Sequence, residues 1–297
     1  MADTNTYSYD NKAIKEDLLN IISNLSPREN KLLYGLGTSP CTGVIHEWLN
    51  DTLATAGANS AVEGASLEGA ATTNPTRDQN YNQIFTKTVS VSESDRAANA
   101  AGFGDRYAYE MNKKMKEFAN DQEFAIMRGT IACGSGSAAR TLKGIKAFAS
   151  TLTTTPSGVS LSESTFLDYL DNAWTNGSTL SEVYVGSVLK RRINGWTAGS
   201  TKNIDSEDKR LVNVVDIYES DNGIVKIFRH RYVTVASTDT NYDIVMINPE
   251  LIKTSYLRKP KHIELAKISD ATRGAIVGEM TLEVRHQLAV STGLKHL

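Results

Sequence analysis

Cysteine is scarce. Cys41 and Cys133 are the only two in 297 residues, and neither stands beside a second cysteine or a histidine at ligand spacing. A disulfide scaffold and a zinc knuckle are therefore excluded, and reduced thiols of a cytosolic protein are expected. Histidine is also sparse and scattered. His46, His230, His262, His286 and His296 never pair at helical or strand spacing, so no metal ligand set can be read from the sequence and none is expected. No run approaches the roughly 18 apolar residues of a membrane span, and MADTNTYSYDNK lacks the basic and apolar regions of a secretory signal. These absences predict a protein made in a cytoplasm and independent of membranes. An excess of charge is missing too: 32 basic residues stand against 34 acidic ones, a net of -2, and the basic residues form no stripe. Tight sequence-independent binding to nucleic acid is disfavoured.

Motifs of catalysis are absent in the same way. No phosphate-loop Lys-Ser/Thr signature or zinc-protease histidine pair occurs. The run GSGSA at 134–138 follows a helix where a dinucleotide fingerprint needs a strand, so it reads as a connector and no cofactor is expected. Glu279 and Glu283 fall on one face of a strand together with Arg285. Two carboxylates so placed could form an acid/base pair, but a solvated or intersubunit charged face accounts for them as well. His230, between Arg229 and Arg231, reads as a polar strand surface, and His286 as a satisfied edge residue. Trp48, Trp174 and Trp196 read as packing anchors. No catalytic residue is nominated.

What the sequence does contain is elements that extend. Residues 11–24 carry apolar positions at three-to-four spacing, a short amphipathic helix that ends before Pro27. From Glu47 to Ser92 an extended flap is predicted. Its middle is a long Ala/Gly/Ser/Thr/Asn run, and its return strand places Phe85, Val89 and Val91 on one face and Thr86, Thr88, Ser90 and Ser92 on the other. DRYAYEMNKKMKEFANDQEFAIMRG follows, a helix of about 36 Å at 1.5 Å per residue. Asp105 is placed to cap it and Gly129 to end it. One stripe runs through Tyr107, Met111, Met115, Phe118, Gln122 and Ala125, with Lys113, Glu117, Asp121 and Glu123 lying mostly elsewhere. A second helix is expected over 163–174, a turn at Asn222-Gly223 between two strands, a buried strand at IVMIN, and a long alternating strand in AIVGEMTLEVRH. No 20–50-residue period repeats, and the order of elements indicates an α+β fold. Flap, arm and rod add surface without enclosing a core, which is economical only if neighbours cover them.

In this order the stretches EWLNDTL, TRDQNYNQIFTKTVSVSES, DRYAYEMNKKMKEFANDQEFAIMRG, SEVYVGSVLKRRING, VDIYESDNGIVKIFRHRYV and YLRKPKHIELAKISDATRGAIVGEMTLEV resemble the major capsid protein of tailed bacteriophages. The resemblance is to the Hong Kong 97-like fold, in the short branch without a fused scaffold, and spans about residue 45 to the end. It implies an N-terminal arm over 1–45, an extended loop over 46–95, and a peripheral domain from 96–140 and 253–297 with its spine helix at about 105–129. Residues 141–252 would form the axial domain. It further implies self-assembly as hexamers and pentamers into an icosahedral shell around double-stranded DNA, held in the virion and assembled in the host cytoplasm. A separate scaffolding protein, a cement or decoration protein and a portal are the partners it suggests. The covalent cross-link of the type member has no motif match here. Trp48, Arg77, Tyr81 and Phe85 are the expected loop anchors against a neighbour, with packing on their own chain as the alternative. A bacterial encapsulin of the same fold and a soluble α+β enzyme or binding domain are the rival readings.

Overall fold

A computed structural model describes residues 30–66, 69, 72, 74–98, 104–156, 158–196, 216–234 and 242–296. The amphipathic helix expected at 11–24 lies outside the described residues, as does most of the polar loop that follows Trp196. The chain enters at α1 (Lys31–Gly35), which buries Leu32 and Leu33, and continues into β1 (Gly37–Pro40). β2 (Ile45–Asn50) and β3 (Thr76–Tyr81) pair antiparallel as an isolated ribbon, from Ile45 opposite Tyr81 to Asn50 opposite Thr76. β4 (Gln83–Ser92) shows the expected alternation, with Phe85, Val89 and Val91 buried. It belongs to the body of the molecule, however, so the flap is confined to β2, β3 and the segment between them.

The short α2 (Glu93–Ala97) leads to the spine, α3 (Arg106–Arg128). Asp105 caps the spine as expected, its carboxylate accepting the Tyr107 N–H at 2.9 Å. Gly129 ends it at φ -52 rather than in the left-handed region. Glycine is needed there for space: a Cβ would lie 2.5 Å from the Leu142 carbonyl oxygen. Then follow α4 (Ile145–Phe148), β5 (Thr153–Thr154), α5 (Glu163–Thr175), β6 (Glu182–Val185) and α6 (Ser187–Asn194). β7 (Ile217–Ser220) and β8 (Gly223–Arg229) form the expected hairpin, with Gly223 at φ 113. The last strands are β9 (Tyr242–Ile247), β10 (Ile252–Leu265), β11 (Ala271–Val284) and β12 (Val290–His296).

Two sheets result. One has the order β1-β10-β11-β4 and carries the spine across one face; the other has the order β5-β12-β9-β6-β8-β7. Spine and first sheet meet through small residues of β11. Gly274 lies under Tyr107 and Met111, and a Cβ at Gly278 would stand 3.2 Å from the Phe118 ring. Phe118 in turn meets Phe85 of β4 edge-on at 6.1 Å. The stripe drawn from sequence is buried in its second half, at Phe118, Gln122 and Ala125, and Ile126 and Met127, which lie outside that stripe, are buried beside them. Met115 is exposed, because at about 100° per residue it stands at the flank of the stripe rather than over the sheet. The second sheet packs α5 and α6 around Phe166, Leu170, Leu189 and Ile193. Trp196 is an anchor there, 5.3 Å from Phe166, whereas Trp174 is exposed.

Candidate assembly surfaces

The ribbon is the part of the described chain least covered by its own body. Leu49, Leu53 and Val62 are 67%, 99% and 83% exposed, an arrangement that gains nothing for an isolated molecule. Its strands alternate strictly. His46, Trp48 and Asn50 turn toward the body, and Ile45, Glu47 and Leu49 turn outward. Arg77 is exposed and reaches Glu47 across the ribbon at 3.3 Å, while Tyr81 is half-buried at the root, opposite Ile45. Trp48 is also half-buried, its ring 6.1 Å from that of Phe148. Phe85 lies in the core of its own chain. Three of the four expected anchors thus sit on the ribbon, and the fourth, Phe85, packs under the spine.

The ribbon is moored by polar groups that sequence reasoning missed. Asn80 is fully buried and donates to the carbonyls of Lys143, at 3.0 Å, and Leu282, at 2.8 Å. Its own oxygen accepts from Lys143 N–H at 2.7 Å. Asn82 donates to Gly43 O at 2.6 Å, and Arg140 donates to Asn82 O at 2.7 Å. These side chains replace the ladder hydrogen bonds that a free two-stranded ribbon cannot get from a neighbouring strand. The only sequence signal for them was the Asn-x-Asn spacing beside a strand, which says nothing about the mooring partners.

Glu279 and Glu283 correct the expectation of a solvated charged face. Both are buried, beneath the ribbon root and the loop that precedes α4. Glu279 accepts from Arg140 at 3.1 Å and also pairs with Arg258. Glu283 accepts from Arg285 at 2.8 Å, from Ser39, and from His46 at 3.2 Å. Burial pushes the Glu283 carboxyl up, and the hydrogen bonds from Ser39, Arg285 and His46 outweigh it, leaving its pKa lowered. Ser255 stands 3.5 Å from His46 Nε2, so serine, histidine and glutamate do come together. Serine and carboxylate share one ring nitrogen, whereas a nucleophilic triad needs them on opposite nitrogens, so the cluster cannot relay a proton from serine.

His230 is a second correction. It is buried rather than on a polar strand surface, and its Nε2 lies 2.8 Å from Glu123 on the spine. Nδ1 accepts the Tyr232 N–H at 3.2 Å, so the ring proton sits on Nε2 and is donated to Glu123. Glu123, expected on the spine's polar side, is fully buried and also accepts from Leu32 N–H at 2.9 Å and Leu33 N–H at 2.7 Å. One carboxylate therefore ties the first described helix, the spine and the loop after β8. His286 caps the turn before β12 by accepting the Leu288 N–H. His262 meets Tyr107 Oη at 2.9 Å. The GSGSA run forms a tight turn, with Ser135 N–H donating to Ala138 O. Among the described residues, no three His, Cys, Asp or Glu gather as a metal site, and no helix is long and apolar enough to cross a membrane.

A long spine laid across a strand-rich sheet, an outreaching ribbon and a second sheet with its own helices define the Hong Kong 97-like class of shell proteins. The sequence model of the SU10 major capsid protein family matches residues 2–294. The chain belongs to that family. It is 32% identical over 123 residues to the major capsid protein of Escherichia phage Phieco32, a match that takes in 41% of this chain and about a third, 35%, of that protein. Its fold superposes on the capsid asymmetric unit of Cyanophage A-1(L) with a TM-score of 0.71 at 12% identity, covering 95% of this chain and 97% of that one. It also superposes on a chain of the holo-SrpI encapsulin complex from Synechococcus elongatus PCC 7942, with a TM-score of 0.59 at 10% identity, covering 96% and 92%.

Proposed function

We propose that many copies of this chain, arranged as hexamers and pentamers, close an icosahedral shell around double-stranded DNA. The chain is a structural component of a virion assembled in the host cytoplasm, and it performs no catalysis. The observation that carries this reading is the ribbon, which leaves Leu49 and Leu53 in solvent and needs a neighbour to bury them. Repetition makes weak contacts sufficient, since each copy offers and receives the same surfaces. In this reading Trp48 and Phe85 fix the ribbon root within the subunit, and Arg77 and Tyr81 address the neighbour. The four-stranded sheet with the spine is the peripheral domain. The six-stranded sheet is the axial domain, with β12 assigned to it because that strand pairs with β9. A separate scaffolding protein, a cement or decoration protein and a portal complete the set of partners.

Electron microscopy of the purified full chain tests the proposal. Closed particles of uniform size are expected, and replacing residues 51–75 by a short turn is expected to leave a folded chain that forms none. A monodisperse monomer at every concentration overturns the shell reading. Particles filled with a cargo protein in place of nucleic acid overturn the DNA-enclosing role in favour of an encapsulin.

A further inference from the structure

The cleft between β4 and the C-terminal half of the spine is open. It measures about 460 Å³ and is lined by Ile84 of β4 and by Asp121, Phe124, Ala125 and Arg128 of the spine. Ile84 and Phe124 are exposed, as is Ile131 just beyond the lining residue Thr130, so three large apolar side chains stand in solvent around one hollow. Beside them the Arg128 Nη1 is buried and has no acceptor among the described residues. An apolar cleft with an unfilled cationic donor in its wall fits a segment that brings an apolar stripe and a carboxylate.

The chain carries such a segment in its own sequence. Residues 11–25 place Ile14, Leu18, Ile21 and Leu25 at three-to-four spacing. On a helix Asp17 stands at the flank of that stripe and Glu16 on the far side. A helix of this length is marginal in water and takes its stability from burial of its apolar face. A short tether sets where that face can go. Asn30 precedes α1, whose Leu32 and Leu33 N–H groups are both held by Glu123, the residue next to Phe124. Five peptide steps from Leu25 to Asn30 span at most about 17 Å, which keeps the end of the stripe close to the cleft. We propose that residues 11–25 dock in this cleft on their own chain, covering Ile84, Phe124 and Ile131 and bringing Asp17 to Arg128. The tether favours this intrachain seat, since it imposes a local concentration far above that of other copies in dilute solution. The seat is internal to one chain, so its failure leaves the shell reading untouched.

The test uses the full chain with the exposed Cys133 replaced, Cys133→Ser, and with Asp17→Cys and Arg128→Cys introduced together. Under mild oxidation a disulfide within one chain is expected, located by mass spectrometry. It should form about tenfold faster than from Glu16→Cys with Arg128→Cys, where the first position points away from the cleft. In the chain without added cysteines, Asp17→Arg is expected to lower the melting temperature by about 2–4 °C, and adding Arg128→Asp to recover it. No disulfide, equal rates from Asp17→Cys and Glu16→Cys, or failure of Arg128→Asp to restore stability overturns the seat. Disulfides formed only between chains overturn the intrachain seat and place the segment on another copy.

Discussion

Glu123 shows how much one side chain can organise. A buried carboxylate is costly unless its lone pairs are filled, and here two backbone amides and a neutral imidazole fill them. Glu123→Ala leaves three buried donors without a partner and is expected to lower stability by about 3–5 kcal/mol in denaturant unfolding. Glu123→Gln keeps an acceptor oxygen and should cost less. None of this was legible in the sequence. Helical periodicity sorts residues by hydropathy, so a glutamate is placed on the wet side whatever its partners, and these partners lie 90, 91 and 107 positions away. Asp105 was legible because a cap acts on its own neighbours, here the N–H of Tyr107 two residues on.

At the level of elements, local rules carried far. The Asn222-Gly223 turn, the ends of α5 and the alternation of β4 follow from short-range chemistry that leaves a mark in sequence. β11 shows the limit. Its two-residue period separates two faces but does not say what covers each, and the charged face turned out to be roofed by Arg140, Asn80 and the ribbon root. Close approach is equally silent. Gly144 lies so near the end of the spine that a Cβ would stand 2.5 Å from the Gly129 nitrogen and 2.8 Å from the Ala125 carbonyl oxygen. Gly144→Ala is expected to cost about 1–3 kcal/mol in thermal or denaturant unfolding, since backbone cannot give way as a side chain does. Gly136→Ala, with nothing within 4 Å, is the neutral control.

The whole molecule should be sensitive to mild acid. His296 is fully buried, with Nδ1–H donated to the Val159 carbonyl at 3.2 Å and Nε2 accepting from Tyr169 Oη at 2.9 Å. Burial, which outweighs the Val159 hydrogen bond, holds its pKa below the ordinary 6.5. The folded state then binds fewer protons than the unfolded chain. The stability this group contributes is present above about 6.5 and is lost as pH falls through that value toward the folded pKa. Glu283, lowered from 4.5, adds a second loss of the same sign in the more acidic range. Melting temperature is expected to decline below pH 6.5, and His296→Gln should flatten the first part of that decline. A profile unchanged by this substitution would place the acid sensitivity elsewhere.

The order of strands in the two sheets has a consequence for synthesis on the ribosome. β11 lies between β10 and β4, β10 between β1 and β11, and β12 between β5 and β9. Both sheets therefore take central strands from residues after 251, which are translated later than β1, β4, β5 and β9. At roughly 5–20 residues per second, the stretch from β10 to β12 takes a few seconds to emerge. Until it does, β1, β4 and β5 lack their only partner and β9 one of its two, and the Asn80 side chain at the ribbon root lacks the Leu282 carbonyl on which it is moored. Chains not yet translated through β12 cannot engage one another through the ribbon, so assembly waits for that strand.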